Sequence, residues 1–361
     1  MDLLQNISLS QFTTLGLGGN ASYLAICKSE DDVVSALKFA KEKQIPIWVM
    51  GGGSNTIVSD AGFEGLVIKI EILGIEQSTA NDVTKIQWKV GAGVVWDDFV
   101  KQTIEEACVG IESLSGIPGT IGASPIQNIG AYGQEVSETI KGVRVINSNL
   151  EILNINSEDC KFKYRDSRFK SGDWKNLIIT QVTFELSTSN PLNLKYPEVR
   201  RHWDSKEQLF GDFSKFDRRE RISTIVEYRE MILKLRKSKS MVLDPLDPNS
   251  KSVGSFFTNP VLSSDEFVQF QNNLKSLGLD LPNVFPEASG GYKVSAAWLI
   301  EQSGFQKGYT KHGVGISSAH CLSLININGK TKDLLNLSEE IKQGVFKKFK
   351  INLIQEPVYL Q

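Results

Sequence analysis

No stretch of this chain reaches the ~18 consecutive apolar residues of a membrane-spanning helix, and the N-terminal MDLLQNISLSQFTT lacks the basic segment and apolar run of a secretion signal. A cytoplasmic protein with no membrane partner is expected. Histidine and cysteine are scarce, three and four in 361 residues. His202, His312 and His320 form no H-E-x-x-H or related cluster, and Cys27, Cys108, Cys160 and Cys321 form no C-x-x-C pair. Neither a metal site nor a disulfide framework is expected, and the cysteines read as buried thiols. Charge of one sign is also lacking: 40 Lys and Arg stand against 42 Asp and Glu, a formal net charge of -2. That balance gives no whole-chain attraction to nucleic acid, so any anion must be bound locally. The chemistry has to come from an organic cofactor or from acid–base side chains.

What is present is an alternating text of helix and strand signals. DDVVSALKFAKEKQ (31–44) opens with cap-type aspartates and spaces Val34, Leu37 and Lys41 as an amphipathic helix does. Strands are expected at IPIWVM, GLVIKI (65–70), IQWKV (86–90), VRVI (143–146), EILNI (151–155) and LIITQVTFEL (177–186), with a helix at WDDFVKQTIEEA (96–107). KFDRRERISTIVEYREMILKLRKSK (215–239) fits one long helix whose Arg and Lys run reads as a solvated face. After the loop LDPLDPNSKSVG (243–254), a second unit follows with helices at 295–304 and near 331–348 and a strand at 321–328. The length suggests two or three domains, and the class is α+β.

Two glycine loops interrupt this text. GGGSN (51–55) is one; GIPGTIGASPIQNIGAYG (116–133), with five glycines and no charged side chain, is the other. Neither is G-x-x-x-x-G-K-[ST], and GLGGN (16–20) lacks the strand and helix that frame a G-x-G-x-x-G dinucleotide turn. An uncharged glycine loop can still hold a diphosphate through backbone N–H groups, with Ser54, Asn55, Thr120, Ser124 and Asn128 adding neutral donors. Plain tight turns are the competing reading.

SGIPGTIGASPIQNIGAYG closely resembles the flavin-binding loop of UDP-N-acetylenolpyruvoylglucosamine reductases. GGGSN, KYRDSRFK (163–170), GSFFTNP (254–260), SAAWLIEQSGFQKG (295–308) and QEP (355–357) occur in that family's order, so the resemblance spans roughly residues 10–360. It implies a vanillyl-alcohol-oxidase-like (PCMH-type) FAD-binding fold: FAD-binding subdomains at 1–72 and 73–230, a substrate-binding α+β domain at 231–351, and a tail, 352–361, returning near the active site. It implies non-covalent FAD held by Gly51, Gly52, Gly53, Ser54 and Asn55, by Pro118, Gly119, Thr120, Gly122, Ala123, Ser124, Asn128, Gly130, Ala131 and Tyr132, and by Arg236. NADPH is the implied co-substrate and UDP-N-acetylglucosamine enolpyruvate the implied substrate. The product is UDP-N-acetylmuramate, a peptidoglycan precursor on which cell shape and division depend. A monomer is expected.

The implied reaction reduces a vinyl ether, delivering hydride to the methylene carbon while negative charge develops on the neighbouring carbon and its carboxylate. Arg165 matches the family arginine that binds this carboxylate, a role suited to a planar, always-charged guanidinium. A salt bridge to Asp166 or Asp159 is its bland alternative. Ser255 matches the serine that donates the proton; its alternative is a turn or cap serine. Glu356 matches the glutamate beside the growing charge, against a tail carboxylate. Tyr196, Lys239 and Asn259 match the residues that contact the UDP end. His320 matches a polar substrate contact or is a packed strand-end histidine. The stretch KYPEVRRHWDSKEQLFGDF (195–213) looks like length added to the family pattern.

Two rivals remain. An FAD-dependent oxidase of the same fold would often tether its flavin through His or Cys, and 116–133 has neither. A non-catalytic UDP-sugar-binding protein would have no use for a proton donor such as Ser255.

Overall fold

Ser29 begins the first long helix because its hydroxyl accepts the N–H of Asp32 at 3.1 Å, satisfying one of the donors a helix start leaves bare. Acidic Glu30, Asp31 and Asp32 lie in the first turn and Lys41 and Lys43 in the last, matching the helix dipole. In this computed structural model, which describes residues 1–203, 215–286 and 290–361, the helix runs Glu30–Lys43. Its buried line is Val33, Ala36 and Ala40, one position round from the expected Val34, Leu37 and Lys41. Small alanines permit close packing, and the larger Val34 and Leu37 flank the contact, partly buried.

The chain folds as two units. The first comprises Met1–Ile7, Ala21–Gly52 and Glu64–Val242; the second comprises Ser8–Asn20, Gly53–Phe63 and Leu243–Gln361. The position expected to divide two domains, 230/231, lies inside the helix Arg218–Lys237, which stays whole in the first unit.

The first unit holds two sheets. One has the order Asp2–Ser8, Asn20–Cys27, Phe63–Ile70, Ile47–Met50, with the last pair parallel. The other is antiparallel, in the order Ile152–Asn156, Ile140–Ile146, Ile178–Ser187, Lys85–Gly91, Ile75–Thr79. Phe184 and Trp88 are cross-strand partners in that sheet, and Phe99 of the helix Trp96–Glu105 packs on both, ring centroids 5.0 and 5.8 Å away. The strands expected at 86–90, 143–146, 151–155 and 177–186 are all present; the second begins three residues earlier, at Ile140, and the others differ by one residue at either end.

The helix Arg218–Lys237 starts at a complete capping box, Asp217 with Glu220. Its cations are not all on a solvated face: Arg221 is buried, Arg229 forms an inward ion pair, and the Nε of Arg236 is buried. The helix is long enough to lie against the rest of the unit, so a periodic run of Arg and Lys cannot avoid the inner side. Part of the added stretch, 204–213, lies outside the described residues.

In the second unit one sheet runs Ser252–Ser255, Ser323–Asn326, Val314–Ile316, Thr310–Lys311 and a smaller one Val261–Leu262, Tyr292–Val294, Val284–Pro286. Three helices, Ser264–Leu277, Ala296–Gln302 and Thr331–Phe349, meet at Phe270, Trp298 and Phe349. The four cysteines are all buried, and burial pushes each thiol up to about 12. They are packing groups, as expected.

Candidate active site

Within the first unit Gly51 and Gly52, the start of the shorter glycine loop, press on the longer one. A Cβ on Gly52 would lie 2.9 Å from Gly119 Cα, and one on Gly51 would lie 2.4 Å from Thr120 Oγ1. The glycines are needed first to let the loops meet. The longer loop is bonded to residues 92–96 through Trp96 N to Gly119 O, Ile121 N to Val94 O and Gly122 N to Ala92 O. Its start is fixed by Asp97, which accepts the N–H of Gly116 and both terminal nitrogens of Arg229, the latter at 2.7 Å each. Burial raises the Asp97 pKa, but Arg229 and the Gly116 N–H outweigh it and hold the carboxyl below its usual range.

Two buried polar atoms in this region have no hydrogen-bond partner among the described residues: Thr120 Oγ1 and Arg236 Nε. Arg236 donates one terminal nitrogen to Met241 O at 2.7 Å, and its Nε sits 3.5 Å from where a Gly116 Cβ would be. Burial lowers its pKa, with Tyr132 and Asp97 pulling the other way. An unanswered hydroxyl and an unanswered guanidinium N–H beside a glycine loop suit a ligand rich in acceptor oxygens, such as the diphosphate of FAD. Ser124 and Asn128 fit differently. Ser124 Oγ bonds Ile121 O, and the Asn128 amide is occupied by Glu135, Lys163 O and the Ser137 N–H. Their side chains build the loop, and their backbone N–H groups are taken within it too, by Ile121 O and Pro125 O, so the donors expected of these two residues are spent on the loop itself.

Arg165 sits at the third position of the tight Lys163–Asp166 turn with φ +53°, a conformation that costs a non-glycine residue energy. Its Nη2 donates to Gly130 O at 2.8 Å, and Lys170 Nζ holds its own carbonyl at 2.9 Å. The strained turn thus delivers the guanidinium to the end of the glycine loop. Nearby in sequence, Tyr132 packs edge-on to Tyr196, centroids 5.6 Å apart, and Lys239 Nζ stands 5.7 Å over the Tyr132 ring. Burial pushes the Tyr132 phenol up to about 12, so it stays protonated at neutral pH. A buried network beneath them, Glu112–Gln134–Ser113–Tyr228, joins the loop to the long helix.

In the second unit Ser255 ends the strand Ser252–Ser255, after Gly254 at φ +72°. A Cβ on Gly254 would meet nothing within 4 Å, so the turn opens to free space while Phe256 and Phe257 behind it are buried. The C-terminal segment pairs with these residues: Thr258 N bonds Ile354 O, Phe257 bridges Gln355, and Glu356 N bonds Phe256 O at 2.9 Å. Glu356 is 8% exposed, a buried acid rather than a loose tail carboxylate. Val358 N bonds Asn55 O, and the strand Val358–Leu360 runs parallel to Thr56–Val58. Ser255, Glu356 and Asn55 are therefore brought together through the backbone. Asn259 accepts the N–H of Ala296 at the start of the helix Ala296–Gln302, and His320 lies in the turn before Ser323–Asn326.

The expected residues thus form constellations within each unit: Gly51 and Gly52 with Gly119 and Thr120, Arg165 with Gly130, and Tyr196 and Lys239 with Tyr132 in the first; Asn55 and Glu356 with the segment after Ser255 in the second. Asp97 and Arg229, which seat the loop, escape a reading of the sequence because 132 residues separate them. Among the described residues no group of His, Cys, Asp or Glu could hold a metal.

A family model described as an FAD binding domain matches residues 21–156, and one for the UDP-N-acetylenolpyruvoylglucosamine reductase C-terminal domain matches 244–360. The protein is an FAD-dependent oxidoreductase. Over its full length it is 40% identical to the UDP-N-acetylenolpyruvoylglucosamine reductase of Thermobifida fusca, covering 99% of this chain and 97% of that one. It is 39% identical to the Streptomyces coelicolor reductase, covering 98% and 89%. The chain belongs to the UDP-N-acetylenolpyruvoylglucosamine reductase family. A crystal structure of the Thermus caldophilus reductase shares the fold, with a TM-score of 0.64 at 21% identity, covering 100% of this chain and 98% of that one. The α+β class expected from the sequence holds.

Proposed function

We propose that Arg165, Ser255 and Glu356 carry the chemistry of this protein, the NADPH-dependent reduction of UDP-N-acetylglucosamine enolpyruvate to UDP-N-acetylmuramate in peptidoglycan precursor synthesis. Bound FAD supplies the transfer of hydride from NADPH to the methylene carbon of the enolpyruvyl group. Arg165 binds the substrate carboxylate: one terminal nitrogen is committed to Gly130 O, and the cation stabilises the negative charge that grows on the adjacent carbon. Ser255 Oγ gives the proton to that carbon. Phe256 and Phe257, both buried, support its reading as a donor that follows directly on from apolar core. Glu356 acts next to it as acid or polariser.

The observation that carries this reading is the pairing of 354–356 with 256–258, which sets the backbone of Ser255 and of a buried glutamate side by side. For the cofactor, Thr120 Oγ1 and Arg236 Nε take the acceptor oxygens, with Gly51, Gly52 and the loop 118–132 of the same unit beside them. The UDP end falls to Tyr196, Lys239, Asn259 and His320. We assign flavin-holding subdomains to 1–72 and 73–230 and substrate binding to 231–351, with the 230/231 boundary taken to the end of the helix Arg218–Lys237 that contains it. NADPH and nucleotide sugars are cytoplasmic metabolites, which supports a cytoplasmic enzyme.

Anaerobic absorption spectroscopy tests this. NADPH should bleach the oxidised-flavin band, and UDP-N-acetylglucosamine enolpyruvate should then restore it without oxygen. A band that returns only when air is admitted would refute the reading.

A further inference from the structure

Lys239, read above as the lysine for the substrate diphosphate, already has an anionic partner: Glu198 Oε2 lies 2.6 Å from its Nζ. Glu198 is no loose surface acid. It belongs to the helix Pro197–Trp203, whose Val199 and Trp203 are buried against Tyr228, Ile232 and Leu235 of the long helix. Trp203 meets Tyr228 edge-on at 5.4 Å. Lys239 follows the end of that same long helix. Both members of the pair are thus held on packed elements, with side chains only 25% and 30% exposed. Tyr196, two residues before Glu198, completes the group by packing on Tyr132, the ring beneath Lys239.

A diphosphate arriving at Lys239 must displace this carboxylate or share the ammonium with it at the cost of like-charge repulsion. We propose that Glu198 is the counter-ion that Lys239 exchanges for the substrate diphosphate. Between turnovers Glu198 keeps the long lysine side chain aimed over Tyr132. During binding it opposes the nucleotide end, which limits affinity there and favours departure of the nucleotide product. The inference rests on the reading of Lys239 given above. Ordering one lysine is the smaller effect, because the side chain remains confined by Tyr132 when the acid is neutralised.

The test is calorimetric titration of the FAD-loaded protein with UDP and, separately, with uridine. Glu198→Gln should tighten UDP about two- to fivefold, the range expected for neutralising a partly exposed ion pair, and leave uridine unchanged. The gain should vanish when Lys239→Ala is added, which isolates the pairwise coupling. Glu198→Asp keeps the charge and controls for the fold, so it should stay near the wild-type affinity for UDP. Unchanged or weaker UDP binding by Glu198→Gln, or equal tightening by Glu198→Asp, would overturn the exchange. Failure of the underlying reading looks different: Lys239→Ala alone would then leave UDP affinity untouched, and the exchange would fall with it.

Discussion

Ser255 and Arg165 do different work, and single substitutions separate them. Ser255→Ala removes one hydroxyl without disturbing Phe256 or the pairing of 354–356, which are backbone-held. NADPH should still bleach the flavin at the wild-type rate, while reoxidation by substrate slows by about 10²–10⁴-fold, the usual worth of a placed proton donor. Stopped-flow measurement of the two half-reactions checks this, and equal slowing of both would remove Ser255 from the proton-transfer role. Arg165→Lys keeps both the charge and the strain at φ +53°, since lysine gains nothing there over arginine. What it loses is the fork: a single ammonium cannot bond Gly130 O and also grip a carboxylate through two parallel donors. Substrate reduction should fall at least tenfold with flavin reduction by NADPH preserved; near-normal steady-state turnover would contradict carboxylate binding. These two residues were legible in the sequence because YRDS and GSFF are compact motifs. Glu198 was not, since its meaning depends on Lys239, which lies 41 residues away and is reached only by folding.

Elements were legible where local chemistry decides them and less so where packing does. The strand LIITQVTFEL was recognisable from its β-branched and aromatic run, and its observed span is Ile178–Ser187. Which face of a helix is buried is a tertiary matter. Helix Glu30–Lys43 buries its alanines rather than its largest apolar residues, and helix Arg218–Lys237 buries arginines that a charge count assigns to solvent. The glycine loops show the same limit. Their composition announced bare backbone, but only the fold reveals that Gly52 and Gly119 press on each other. Gly52→Ala would place a methyl 2.9 Å from Gly119 Cα, and because that neighbour is backbone, one loop must move. Overpacking of this kind costs about 1–3 kcal/mol. If the loops jointly hold the FAD diphosphate, the affinity of the apoprotein for FAD should drop about tenfold or more, read by quenching of flavin fluorescence on titration. Unaltered affinity would mean that the contact between the loops is irrelevant to the cofactor.

The two units are not consecutive pieces of chain, and this governs how the molecule can be divided. The family's C-terminal domain corresponds to residues 244–360, but the unit containing it also includes Ser8–Asn20 and Gly53–Phe63. Those short segments supply parts that the C-terminal stretch cannot replace. Leu15, Leu17 and Ile57 are buried in its core. Asp60 accepts the N–H groups of Thr331 and Lys332, capping the helix Thr331–Phe349, and Val58 O accepts the Thr331 hydroxyl at 2.6 Å. Asn326 donates to Leu15 O at 2.9 Å, and Val358–Leu360 loses its only strand partner among the described residues without Thr56–Val58. Removing three buried apolar side chains, each worth about 1.5–3 kcal/mol, together with a helix cap worth about 1 kcal/mol, approaches the whole stability of a domain this size, about 5–15 kcal/mol. The fragment 243–361 expressed alone should therefore fail to fold, giving a collapsed amide proton spectrum and no cooperative thermal transition, although residues 244–360 look self-contained as a sequence. A well-dispersed spectrum and a sharp melt from that fragment would show that the two N-terminal segments decorate this unit rather than complete it.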